Sequence, residues 1–193
     1  MARRPSIEHV YQLDIRLIGI EPPIWRCVTV SDQIPLASLH LLLQVVMGWE
    51  HSHLHQFTVE KTRYGEPDPE YDNEMKDERR IKLHAIAREK GVSFVYEYDF
   101  GDGWQHRITV EDIRPRTENM LIPRCLDGKR ACPPEDCGGI GGYQNLLEAL
   151  KDRRHPEHKQ LRSWVGPHFD PELFSVQAVN SALAILVALG VTA

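Results

Sequence analysis

Residues 93–112 read SFVYEYDFGDGWQHRITVED, and the way this stretch pairs with itself decides the fold class. Phe94, Tyr96 and Tyr98 alternate with Val95 and Glu97, and Ile108 and Val110 alternate with Arg107 and Thr109. Alternation of period two marks strands with one buried face. The glycines between them call for a turn. A two-residue turn at Asp102-Gly103 would set Tyr98 against Arg107 and mix the two faces. A three-residue loop, Gly101 to Gly103, instead sets Phe100 against Trp104, Tyr98 against His106, Tyr96 against Ile108 and Phe94 against Val110. Glu97 then meets Arg107 on the other face. Such loops end in a left-handed residue, a position suited to Gly103. The stretch is therefore predicted to be a hairpin over 93–112, with Asp102 serving the turn.

Working outward, Tyr11, Leu13, Ile15 and Leu17 alternate with Gln12, Asp14 and Arg16, which predicts another half-buried strand. Pro22-Pro23 ends it. "IWRCVTV" predicts a second strand, with Cys27 in the core, and "HLHQFTVEK" a third. Leu36, Leu39, Leu43 and Val46 form a helical stripe over about 35–47 after Pro35, with Gly48 as its stop. Tyr143, Leu146, Leu147 and Leu150 mark a helix near 143–151. Ser175 caps a last helix over about 176–189, and short helical segments are expected in "KLHAIAREKG" and "PEHKQLRSWVG". A polar loop is expected at about 64–80 and a Gly/Pro/Cys-rich loop at about 114–142. Strands gather early and helices late. The reading is one domain over 1–193, of α+β class with a mostly antiparallel sheet.

The bulk composition narrows function. The chain has 193 residues, 41% hydrophobic and 26% charged, with a net charge of −5. It is long enough to build a core without disulfides or metal. The negative balance argues against bulk non-specific nucleic-acid binding, which needs many Lys and Arg contacts to phosphate. No signal peptide is expected at the N-terminus. "ALAILVALG" falls short of the ~20 apolar residues of a membrane span. The expected location is the cytoplasm, where the four cysteines are thiols or metal ligands.

Three motifs in order carry a resemblance: W-x-x-x-H-L-H-x-F (Trp49 to Phe57), Y-D-F-G-D-G-W-x-H-x-I-x-V-E (Tyr98 to Glu111) and C-x-x-G-x-x-A-C-P-P-E-D-C-G-G-x-x-G-Y (Cys125 to Tyr143). With F-D-P-E-x-F (Phe169 to Phe174) and Val179-Asn180, they resemble the plasmid pRiA4b ORF-3-like family over nearly the whole chain. The resemblance implies a compact α+β domain of bacterial and archaeal proteins, carried on plasmids and in some insertion elements. It suggests an accessory role near DNA and transfers no catalytic assignment. The motif positions Trp49, Tyr98, Asp99, Asp102, Trp104, His106, Glu135 and Asp136 stand as candidate pocket residues.

His51, His53 and His55 recur at every second position, and on a strand they would share one face. His53 and His55 are therefore candidate metal ligands, unless they pack beside Trp49 and Phe57. Cys125, Cys132 and Cys137 lie in one loop that can wrap an ion, although their spacing is not that of paired C-x-x-C modules. Joined to the histidines, they would favour zinc. "CGGIGGY" before a helix lacks the lysine of a phosphate loop, and Glu135-Asp136 would repel phosphate, so its glycines are assigned to tight packing. No nucleophile elbow or ordered Ser/His/Asp set is present. His106, on the aromatic face, needs a partner if buried. Two functions follow: a non-catalytic binding or accessory module, with a protein partner or self-association, or a metal-dependent hydrolase or nuclease-like enzyme using His53, His55 and acidic or cysteine groups.

Overall fold

The computed structural model describes residues 8–68 and 74–190. Part of the expected polar loop, 69–73, lies outside the described residues. Strands β1 (His9–Leu17), β2 (Trp25–Ser31), β3 (His55–Val59), β4 (Thr62–Gly65), β5 (Lys76–Asp77), β6 (Ser93–Tyr98), β7 (Trp104–Pro115) and β8 (Arg124–Lys129) form one sheet in the order β5-β4-β3-β6-β7-β1-β2-β8. Every pairing is antiparallel except β4 with β5. The helices are α1 (Leu36–Met47), α2 (Leu83–Ile86), α3 (Gly139–Lys151), α4 (His158–Val165) and α5 (Val176–Ala188). The class is α+β, and the helices near 35–47, 143–151 and 176–189 are present.

One face of the sheet is closed by helix. Leu13, Ile15, Val28, Val30, Phe57, Tyr96 and Ile108 point into a core completed by Leu36, Leu39, Leu42 and Leu43 of α1. The stripe on α1 continues through His40 and Gln44, both buried. Ser175 caps α5 by accepting from the Ala178 N–H at 3.2 Å. A bulge at Gln12/Leu13 shifts the β1–β7 register, and β7 pairs with β1 from His106 to Pro115.

Four expectations need correction. The hairpin is real, but its register is shifted by two, and the loop spans 99–103 rather than 101–103. Tyr98 faces Trp104, Tyr96 faces His106, Phe94 faces Ile108, Glu97 faces Gln105 and Val95 faces Arg107. A shift of two keeps every side chain on its predicted face, so the faces cannot discriminate between the registers. Asp99 decides it: it turns left-handed at φ 57°, and its carbonyl accepts from Gly103 N–H at 2.6 Å, which removes Asp99 and Phe100 from the strand. Gly103 itself is left-handed at φ 68°, as expected.

The Gly/Pro/Cys-rich segment is less irregular than its composition suggests. It contains the end of β7, all of β8 and the start of α3. Among the described residues strand β8 pairs only with β2, and it buries only Cys125, so it has no alternation to read. In the polar 64–80 segment, β4 and β5 extend the sheet edge. On β2 the buried positions are Arg26, Val28 and Val30, so Cys27 is half-buried on the opposite face.

Candidate functional site

The "HSHLH" run joins α1 to β3, and only His55 belongs to the strand. His51 is left-handed at φ 57°. The alternation assumed for a strand therefore fails here, and the imidazoles find different partners. His55 Nε2 lies 2.9 Å from Glu78 Oε2, and its ring stacks on His40 at 3.4 Å between centroids and 3° between planes. His51 Nδ1 lies 2.6 Å from His40 Nε2, and His40 Nδ1 lies 2.7 Å from the Tyr96 hydroxyl. Gln44 Nε2 donates to that hydroxyl at 2.9 Å, and Gln44 Oε1 accepts from the His51 N–H. Tyr96 thus donates to His40 Nδ1, and His40 Nε2–H donates to His51. Burial, then His55 and His51, push the His40 pKa down to about 2, so this ring is neutral.

His53 turns to an acidic pocket. Its Nε2 lies 3.2 Å from Glu135 Oε2, 3.2 Å from Asp136 Oδ1 and 3.8 Å from Asp99 Oδ2. Asp99 is held by its Oδ1, which accepts from Gly101 N–H at 2.9 Å, leaving Oδ2 toward His53. Glu135 Oε1 accepts from Glu50 N–H at 2.8 Å and from the Tyr98 hydroxyl at 3.0 Å. Burial, with Glu135 nearby, pushes the Tyr98 pKa up to about 12, so the phenol keeps its proton. His53 Nε2 is shielded from water, yet it is aligned with no hydrogen-bond partner among the described residues. Ligand atoms of His53, Asp99 and Asp136 all lie within 4.8 Å of one another.

Each of the three sequence motifs gives this region one non-glycine residue in the left-handed conformation: His51 at φ 57°, Asp99 at φ 57° and Asp136 at φ 56°. Such residues cost free energy and persist where the surroundings hold them. Three ties hold the loops together. Trp49 Nε1 donates to Pro133 O at 3.0 Å, the Tyr98 hydroxyl reaches Glu135, and Asp102 Oδ2 accepts from Gly138 N–H at 3.1 Å. Trp49 also stacks on Tyr98 at 5.0 Å. Asp102 therefore joins two loops, while the bonds that hold the turn are made by Asp99.

The expected cysteine ligands lie elsewhere. Cys125 is buried on β8, and its backbone is bonded both ways to the Asn180 side chain at 2.8 and 2.9 Å. Burial pushes the thiol of Cys125 up to about 11 and those of Cys132 and Cys137 up to about 12. None of the three belongs to the His53 cluster, and His55 is engaged by Glu78. Trp104 and His106 lie in the core beneath the site. His106 is fully buried edge-on to Trp49, with Nδ1 3.4 Å from Tyr96 O and Nε2 without a partner among the described residues. Sequence reasoning missed His40 and Glu78. The usable signal was His40 on the apolar stripe of α1, four residues after Leu36 and four before Gln44. A cavity of about 490 Å³ adjoins the cluster, lined by His51, His53 and His55, with exposed Leu54 and Phe100 on its walls.

The profile of a family described as "Plasmid pRiA4b ORF-3-like protein" matches residues 9–178. The chain is similar to "Uncharacterized protein y4hQ" of Sinorhizobium fredii, at 38% identity over 186 residues, covering 94% of each. It is also similar in structure to the "Protein of Unknown Function MM3350" from Methanosarcina mazei Go1. That similarity has a TM-score of 0.80 at 38% identity, covering 89% of this chain and 98% of the other.

Proposed function

The chain belongs to the plasmid pRiA4b ORF-3-like family, and from that premise we propose that it is a binding module built around one divalent cation, held by His53 Nε2, Asp99 and Asp136, with Glu135 beside them. One observation carries this reading: a water-shielded imidazole nitrogen with no aligned hydrogen-bond partner faces three carboxylates from two separate loops. Carboxylates so close repel one another unless a cation lies among them. Ligand bonds of ~2.0–2.2 Å to zinc set tetrahedral ligand atoms roughly 3.4 Å apart. The His53 contacts of 3.2 Å to Asp136 and 3.8 Å to Asp99 lie on either side of that spacing. One nitrogen with carboxylate oxygens suits zinc or manganese. The cysteines are left out of the ligand set.

The test is metal content and calorimetric titration of untagged, chelator-treated protein. About one zinc or manganese per chain is expected, lost in His53→Ala and weakened in Asp99→Asn, with Cys132→Ser unchanged. Absence of binding, or full binding in His53→Ala, overturns the reading. A second reading, a metal-dependent hydrolase, is favoured by the cavity beside the cluster, which leaves room for a substrate. Metal-dependent turnover of a chromogenic phosphodiester or ester that disappears in His53→Ala would support it.

A further inference from the structure

A second cavity, of about 630 Å³, lies between the end of α1, Trp49, the Cys132–Glu135 segment and helices α4 and α5. Its walls are largely apolar and aromatic, with Trp49, Pro133, Trp164, Phe169 and Phe174 among them. Arg26 is also part of the lining, yet only 2% of it is exposed. Its partners are all neutral. Nε donates to Val46 O at 2.7 Å, and Nη1 donates to Trp25 O at 2.8 Å and Lys129 O at 3.0 Å. The Phe174 ring lies 4.1 Å over the guanidinium carbon. Among the described residues no carboxylate pairs with Arg26, and Nη2 takes no part in these bonds.

A buried charge ordinarily comes with a counter-charge. The Val46 carbonyl near the C-terminus of α1 supplies only a partial negative charge. The nearby thiols of Cys132 and Cys125 supply none at neutral pH, because burial keeps them protonated. Glu50 and Glu135 are on the cavity wall but form no ion pair with Arg26. A largely apolar cavity of this size, with a single cationic side chain in its lining, has the form of a small-molecule site.

We infer that this cavity binds a small monoanion, a carboxylate with an aromatic or otherwise apolar body, whose head meets Arg26 and whose body lies against Phe174 and Trp164. Glu50 and Glu135 on the wall disfavour a dianion such as a phosphate monoester. The site is distinct from the proposed cation cluster, and Glu135 lines the cavity while also reaching His53.

The test uses two probes with one body, naphthalene-1-acetate and its neutral amide, titrated into the full chain by calorimetry. Wild type is expected to bind the acid at least tenfold more tightly than the amide, at one site per chain. Arg26→Met is expected to erase that preference. Trp164→Ala, at a half-exposed position that tolerates change, is expected to weaken both probes alike. Should Arg26→Met fail to fold, the acid-to-amide ratio in wild type still decides. Equal binding of the two probes, or binding of neither, overturns the inference and leaves Arg26 as a staple between β2, β8 and α1.

Discussion

At the scale of the residue, Asp136 ties stability to backbone strain and His106 ties it to protons. Asp136 holds a left-handed conformation at φ 56° with a largely exposed side chain. Asp136→Gly should relieve that backbone and leave stability unchanged or raised, by up to about 1 kcal/mol. The same change should lower cation affinity. A urea melt beside a zinc titration checks both, and a variant that loses stability would contradict the strain argument. His106 works through protons. Burial pushes its pKa down to about 4, from an ordinary value of 6.5. The folded chain keeps this ring neutral where the unfolded chain protonates it. The stability linked to neutral His106 is therefore complete above pH 6.5 and is lost as pH falls toward 4, by roughly 3 kcal/mol at most. His40, depressed to about 2, adds to the same trend. Denaturant melts between pH 7 and 4 should show falling stability in wild type and a shallower fall in His106→Leu. A matching slope in the variant would remove His106 from the account. The need of a buried His106 for a partner was legible in the sequence. That Nδ1 would reach Tyr96 O, with no partner for Nε2 among the described residues, was not, because pairing across strands sets it.

At the scale of the element, the legible parts were those with strong periodicity. Strands β1, β6 and β7 and helices α1 and α5 follow from period-two and period-3.6 patterns with their caps. Strand β8 escaped because an edge strand with one buried residue has no pattern, and α3 began earlier than expected because its first turns are glycine. The hairpin register escaped because a slip of two preserves both faces, and only the local turn of Asp99 distinguishes the two. The candidate site was half legible. His53, Asp99, Glu135 and Asp136 stood in the quoted motifs, but the assumption that His53 continued a strand linked it to His55 rather than to the acids. The assignment of the α3 glycines to tight packing holds for Gly139 and Gly142, whereas Gly141 faces open space. A Cβ on Gly142 would lie 1.8 Å from Cys137 O. Gly142→Ala must therefore push the Cys137 turn away, at a cost of about 1–3 kcal/mol or more, and should displace Asp136 with it. A melt and a metal titration of this variant should fall together. Retained stability would show that the turn gives way freely.

For the whole molecule, surface charge sets what the fold can meet. With a net charge of −5, acids interspersed with bases leave few counterions to release from a nucleic acid. Titration with random duplex DNA at physiological salt should give weak binding with a shallow salt dependence, and a submicromolar, steeply salt-dependent affinity would overturn this. Among the described residues no helix is long and apolar enough to cross a membrane. The cluster around His53 also has a consequence in time. Its members come from three points far apart along the chain, carried by the β3 approach, the β6–β7 loop and the turn before α3. Closing such distant segments is a late event in folding. A bound cation would then act as a clasp fastened last, leaving the rate of folding nearly unchanged while slowing unfolding. In a stopped-flow chevron, adding zinc would lower the unfolding arm and leave the refolding arm in place.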